Sequence, residues 1–198
     1  MPERETVRAF LAIPPDPAWS SAAGEALATL RRELPHASWT RPESWHLTIR
    51  FLGEVAPGAL ERFAGAIAES ALRSGELRLE PGGAAVFPSV RRARVLGIAI
   101  AERTGALAGL AASAETEARA IGAAPEDRAF RPHTTVARLR QPWPAAAVER
   151  FVAAVRGAGL PDWIAREVVL YGSRLGPGGA VHTPLARFPL AGAAEAAR

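Results

Sequence analysis

Two short stretches constrain this chain more than any other part of it. One is Trp45-His46-Leu47-Thr48-Ile49-Arg50-Phe51-Leu52-Gly53; the other is Pro132-His133-Thr134-Thr135-Val136-Ala137-Arg138. Each holds His-x-Thr followed by an aliphatic residue. Each reads as a short strand, because β-branched and aliphatic residues suit a pleated, half-buried surface. Side chains alternate along a strand, so His46 and Thr48 share one face, and so do His133 and Thr135. Leu47 and Ile49 then fill the core behind the first pair. Two rigid strands can therefore present two imidazoles and two hydroxyls, provided the fold brings the strands together.

The flanking pattern repeats as well. Residues 7–13 read as a buried strand ended by Pro14-Pro15. Asp16 and Pro17 open a helix over roughly 17–33 with Trp19, Ala23, Leu27 and Leu30 at helical spacing. A short strand at Ser38-Trp39-Thr40 and a turn at Arg41-Pro42-Glu43 lead into the first motif. Pro57 opens a second helix carrying Leu60, Phe63 and Ile67. Residues 76–87 form a strand broken at Pro81-Gly82-Gly83. Arg91, Arg92 and Arg94 mark a hairpin tip before a return strand at 95–100. A third helix spans about 103–121, and a polar loop, 125–128, precedes the second motif. Pro144 starts a fourth helix. Residues 163–190 read as two strands around Gly176-Pro177-Gly178-Gly179, and 191–198 as a frayed tail. Each motif strand has a helix before and after it, so the chain is a coarse duplication of α+β type with two lobes facing each other.

Composition removes several chemistries. The chain has 198 residues, enough for one domain of two similar lobes, here placed at 1–190. Cysteine is absent, which excludes disulfides, thiolate metal sites and cysteine nucleophiles. Lysine is absent too, and all 24 basic residues are arginine. No lysine can then be adenylated by ATP, form a Schiff base or serve a phosphate loop. A net charge of +4 suits a polyanionic partner, although codon bias toward arginine produces the same composition. The absence of a long apolar run or a leader pattern at the N-terminus leads us to expect a cytoplasmic protein with no membrane partner.

A neutral imidazole is a base and an imidazolium an acid near physiological pH. A pair in opposite protonation states suits in-line displacement at phosphorus, with threonine hydroxyls and arginines binding the equatorial oxygens. A lone strand histidine is more often a satisfied core or surface residue; two copies at matching places in a duplicated pattern carry more weight. His36 and His182 lack the motif and read as structural or surface residues. No HExxH-type or carboxylate-rich cluster and no G-x-S-x-G elbow accompanies the motifs, so metal and serine-hydrolase readings fit poorly.

These residues resemble the two-histidine phosphoesterase superfamily, and within it the bacterial and archaeal RNA 2′,3′-cyclic phosphodiesterases, also called 2′-5′ RNA ligases. The similarity runs nearly end to end. It is carried by 7–14, by Trp39 to Val55, by Val86-Phe87-Pro88 with Arg94-Val95-Leu96, by Arg128 to Arg138, and by 170–175 with 179–181. The resemblance implies a bilobal, pseudo-two-fold fold in which two antiparallel β-sheets line a central cleft with α-helices outside. It implies hydrolysis of 2′,3′-cyclic phosphate ends of RNA, or of cyclic nucleotides, to 2′-phosphates without metal, ATP or other cofactor, by a monomer, with 2′-5′ ligation as the reverse reaction. His46, Thr48, His133 and Thr135 match its catalytic tetrad, with His133 as base and His46 as acid preferred over the reverse. An RNA-end-binding module without turnover, or the same chemistry on 2′-5′ oligonucleotides or an ADP-ribose cyclic phosphate, are the alternatives.

Three departures stand out. Thr134 replaces the usual aliphatic residue and is expected to face away from the cleft. His182 stands where an aromatic is frequent, and Arg50 where lysine is frequent. Arg128, Arg131 and Arg138 are candidates to touch phosphate, against the alternative of ordinary salt-bridged or solvated arginines. Phe10, Phe51 and Phe130 are candidates to stack on a base, although core packing is the expectation for at least two of them. Trp39 and Trp45 are expected to be packing residues.

Overall fold

The computed structural model describes residues 6–34, 37–176 and 179–191. His36, the centre of the Gly176–Gly179 turn and residues 192–198 of the expected tail lie outside the described residues. Along the chain run β1 (Val7–Ile13), α1 (Pro17–Glu33), β2 (Ala37–Trp39), β3 (Leu47–Val55), α2 (Pro57–Ser74), β4 (Leu77–Phe87) and β5 (Val95–Ala101). Then come α3 (Ala106–Ala120), β6 (His133–Leu139), α4 (Ala145–Gly157), β7 (Trp163–Ala165), β8 (Glu167–Gly176) and β9 (Gly179–Pro189). None of the described helices is long and apolar enough to cross a membrane.

The helices form where local chemistry asks for them. The Asp16 carboxylate accepts from the Ala18 amide at 2.8 Å and Pro17 opens α1. Trp19, Ala23, Leu27 and Leu30 recur on one face of α1 and are buried. Leu60, Phe63, Ile67 and Ala71 do the same on α2, which Gly75 stops at a positive φ of 69°.

The strands make one curled antiparallel surface in the order β9-β8-β1-β3-β6-β5-β4-β7, with β2 added beside β6. The expected pair of sheets appears as two half-sheets, β9-β8-β1-β3 and β6-β5-β4-β7. They are joined where β3 meets β6 through one residue pair, Leu47 with Thr134. These two residues occupy the same place in the two motifs. The pair that closes the sheet therefore sits on the pseudo-two-fold axis.

The helices cross over. α2 and α3 pack together on the half containing β3 and β9, whereas α1 and α4 pack together, with α4 on β4. Trp19 of α1 meets Trp163 of β7 with ring centroids 4.8 Å apart. Each lobe thus borrows a helix that leaves a strand of the other. Trp39 and Trp45 are packing residues, as expected. Trp45 is buried with its Nε1 donating to Thr40 Oγ1 at 2.8 Å, and Trp39 donates to the Leu34 carbonyl at 3.2 Å.

Three boundaries differ from the sequence expectation. Regular pairing of the first motif begins at Leu47, because Pro42–Ser44 coils into a single 3-10 turn whose Pro42 carbonyl takes the Trp45 amide. The break at Pro81-Gly82-Gly83 does not end β4, which skips two residues against β5 and continues. Residues 163–190 hold three strands among the described residues, since β7 pairs with β4 and β8 with β1 on the other half. Alternation along 163–170 is compatible with one strand and carries no mark of the change of partner.

Thr134 faces the core with no exposed surface, and its hydroxyl has no hydrogen-bond partner among the described residues. A buried orphan hydroxyl costs about 1–3 kcal/mol. Thr134→Val keeps the shape and the strand preference, so it should raise stability by about 1 kcal/mol in urea unfolding; a lower midpoint would contradict the burial assigned to this hydroxyl.

Candidate active site

The two motif histidines are held in the same way. His46 Nδ1 donates to the Ser44 carbonyl at 2.9 Å, and His133 Nδ1 donates to the Arg131 carbonyl at 2.7 Å, in each case two residues back. A carbonyl only accepts, so each neutral ring carries its proton on Nδ1 and leaves a lone pair on Nε2. Neither Nε2, and neither the Thr48 nor the Thr135 hydroxyl, has a partner or is sealed from solvent among the described residues. The Leu47–Thr134 pair sets the residues that flank it, His46 and Thr48 on β3 and His133 and Thr135 on β6, on either side of one junction. All four sit on the face away from Leu47, Ile49 and Val136, which are buried.

Two bulges extend this face. Against β1, Thr48 pairs with Ala12 and Arg50 with Leu11, so Ile49 is the extra residue. Against β5, Thr135 pairs with Gly97 and Ala137 with Leu96, so Val136 is the extra residue. Strict alternation would send Phe51 and Arg138 to the far side from the threonines. The bulges turn them back, and each lands five residues after its histidine on the cleft face. The frame is symmetric, but one side offers an aromatic ring and the other a guanidinium. Thr40 supports the second bulge, its hydroxyl donating to the Thr135 and Val136 carbonyls at 3.1 and 2.9 Å.

The walls differ in the same sense. On the β1 side Phe10 lies beneath His46, with centroids 4.8 Å apart, and is ringed by Phe51, Tyr171 and His182 at 5.7, 5.2 and 4.8 Å. On the β5 side Phe87 lies 4.6 Å from the His133 ring and carries the Arg131 guanidinium 4.6 Å above its centroid. Phe130 and Arg131 also border a groove of about 290 Å³ floored by Ala84, Ala85 and Ala99.

Burial pushes the His46 pKa down to about 4; the Ser44 carbonyl opposes this, while His182, Arg138 and His133 add to it. Burial also lowers His133; the Arg131 carbonyl opposes this, while the Arg131 and Arg138 guanidinium charges add to it. Arg138 is exposed and has no hydrogen bond or salt bridge among the described residues. Its guanidinium is thus available to an anion.

The other candidates separate clearly. Arg128 is exposed and engaged by Glu126 through two bonds of 2.8 Å, outside the cluster of rings. Phe10 is buried, but Phe51 and Phe130 are 46 % and 36 % exposed, so the expectation that at least two of the three belong to the core is corrected. For Phe51 the cause is the bulge, which turns the ring outward. Arg50 is a structural residue, buried and bonded to Glu115 of α3 at 2.5 Å and to the Ala124 carbonyl at 2.5 Å. His182, which lacks the motif, lies in the cleft 5.2 Å from the His46 ring. Its alternation with exposed residues on β9 resembles any edge strand, so nothing local marked it.

A cleft built on a two-fold duplication, with one His-x-Thr strand from each half, is the architecture of the two-histidine phosphoesterases. Within that class the chain belongs to the family described as LigT like Phosphoesterase, whose model matches residues 18–97 and again residues 98–182. The chain is 28% identical over 184 residues to the RNA 2′,3′-cyclic phosphodiesterase of Methanothermobacter thermautotrophicus, covering 93% of this chain and 99% of that one. It is 24% identical to the protein of the same name from Aquifex aeolicus, covering 95% and 100%. Among solved structures it resembles TT0787 of Thermus thermophilus, with a TM-score of 0.73, 27% identity, and 92% and 97% coverage. The E. coli LigT apo structure has the same fold, with a TM-score of 0.70, 21% identity, and 94% and 99% coverage.

Two tests follow from this geometry. A Cβ on Gly97 would lie 2.8 Å from the Thr134 carbonyl oxygen and 3.2 Å from His133 Cδ2. Gly97→Ala must therefore displace the β6 backbone or the His133 ring. We expect it to lower kcat by about tenfold or more, since misplacement by an ångström is costly in a catalytic site, while circular dichroism stays native; unchanged kcat would mean the strand yields without moving the ring.

Because the folded His46 pKa lies below its unfolded value of 6.5, the unfolded chain binds the proton first. That contribution to stability is present above pH 6.5 and is lost as pH falls toward about 4, by about 3 kcal/mol at most. Urea titrations across this window should show the loss, and His46→Asn should flatten it; equal slopes for both proteins would refute the assignment.

Proposed function

We propose that this protein hydrolyses the 2′,3′-cyclic phosphate at RNA ends, or on nucleotides, to a 2′-phosphate, using its two histidines and neither metal nor ATP. One observation carries the reading: two imidazoles with the same carbonyl anchor stand on either side of the Leu47–Thr134 axis with both Nε2 atoms open. In-line displacement needs a base and an acid on opposite sides of phosphorus, and this arrangement supplies one of each. The shared name of the Methanothermobacter and Aquifex relatives supports the substrate class.

The deeper burial of His46 favours it as the neutral base, which reverses the assignment preferred from sequence. His46 Nε2 takes a proton from water as the water oxygen bonds to phosphorus. The P–O3′ bond breaks, and protonated His133 gives its Nε2 proton to the departing O3′. Thr48, Thr135 and Arg138 bind the non-bridging oxygens, where charge grows in the transition state. Run backwards with a 5′-hydroxyl in place of water, the same steps form a 2′-5′ linkage. Phe51, Phe130 and Arg131 offer exposed surface for a base beside these groups.

Nucleoside 2′,3′-cyclic phosphates should be converted to 2′-phosphates at an undiminished rate in EDTA. His46→Ala and His133→Ala should each lower kcat by at least about 10²-fold. Salt-sensitive RNA binding without product, indifferent to both substitutions, would identify a binding module in place of an enzyme.

A further inference from the structure

His182 differs from the two motif histidines in a way that assigns it a different task. His46 and His133 each have Nδ1 tied to a backbone carbonyl, which sets their tautomer and orientation. His182 has no such tie: its Nδ1 is buried without a partner, and its Nε2 is open and equally unbonded among the described residues. The ring stands edge-on to Phe10 and to His46, with interplanar angles of 80° and 87°. On β9 it pairs with Ser173 of β8, two residues from Tyr171, which stacks on Phe10. A purely apolar ring would pack here without stranding a nitrogen. The nitrogen left open, Nε2, is the one that a ligand in the cleft can meet.

We propose that His182 is a substrate-binding residue whose Nε2–H donates to a non-bridging phosphoryl oxygen on the His46 side of the cleft, across from Arg138. The proposal rests on the phosphoesterase reading above and adds a third imidazole to it, acting as an anchor and passing no proton. A buried Nδ1 without an acceptor disfavours a proton there, so the neutral ring carries its hydrogen on Nε2, facing solvent. Burial, aided by Arg138, lowers the pKa of the ring and keeps it neutral in the free protein. At 5.2 Å between ring centres, one phosphoryl group can bridge His46 and His182. Among the described residues no three His, Asp or Glu side chains converge as a metal site, so the cluster fits an anion better than a cation.

Two variants and one spectroscopic measurement test this. His182→Phe keeps the ring against Phe10 and His46 but removes the donor. It should raise KM for a nucleoside 2′,3′-cyclic phosphate, and weaken competitive inhibition by inorganic phosphate, by about tenfold or more, the scale of one hydrogen bond to a charged group. kcat should change less. His182→Gln restores a donor near Nε2 and should recover most of the loss. A folded His182→Phe protein with wild-type KM and phosphate inhibition overturns the proposal; so do equal losses in both variants, which mean a packing role. In the wild type, inorganic phosphate should shift the His182 Nε2 resonance in ¹⁵N-histidine spectra, and an unmoved resonance overturns the proposal even if His182→Phe fails to fold. A wild type that opens no cyclic phosphate sinks the activity reading alone, because the phosphate titration still reports on His182 directly.

Discussion

The single backbone bridge between Leu47 and Thr134 is the contact on which the rest depends. It joins residues at equivalent places in two copies of one pattern, so it lies on the axis that relates them. A pair on such an axis must carry the neighbours of both residues to the same junction. His46 and His133 are therefore brought to one cleft by symmetry, near enough for the charge of one to act on the other. A contact elsewhere between the half-sheets would still close the surface, but would not pair the motifs.

Symmetry alone would yield two identical half-sites, whereas displacement at phosphorus needs two unlike groups. The asymmetry comes from what the shared frame carries. The bulges at Ile49 and Val136 occupy equivalent positions, yet one turns Phe51 into the cleft and the other Arg138. Around His46 stand Phe10, Tyr171 and His182; beside His133 lie Phe87 and Arg131. Deeper burial depresses His46 to about 4, and the more open His133 is also lowered. One backbone arrangement thus presents two imidazoles of different proton affinity.

Much of this was legible along the chain. Asp16-Pro17 and Pro57 announced the helices they open, and the apolar spacing after them marked the buried faces. The shared face of each His-x-Thr pair was readable because side chains two residues apart on a strand point the same way. What escaped were features where the chain departs from its own period. The bulges reverse the alternation at Ile49 and Val136, aliphatic residues that read as ordinary strand positions, and the glycine set against the second bulge, Gly97, lies on another strand. Trp163–Ala165 continues smoothly into Glu167 while changing partner from β4 to β1. His182 sits on a strand with no motif, and only the β8–β9 register carries it edge-on to His46.

The sequence by itself determined the helices, most of the strands, the duplicated order and the shared face of each His-x-Thr pair, because these follow from neighbours within a few residues. It also excluded cysteine and lysine chemistry outright. The tertiary structure alone decided that the equivalent residues Leu47 and Thr134 pair with each other, that Phe51 and Arg138 turn inward, and that a third histidine joins the first two. Those outcomes depend on which strands lie side by side and in what register. Register is set by burying both half-sheets against crossed helices at once, a condition on the whole chain that no local window contains.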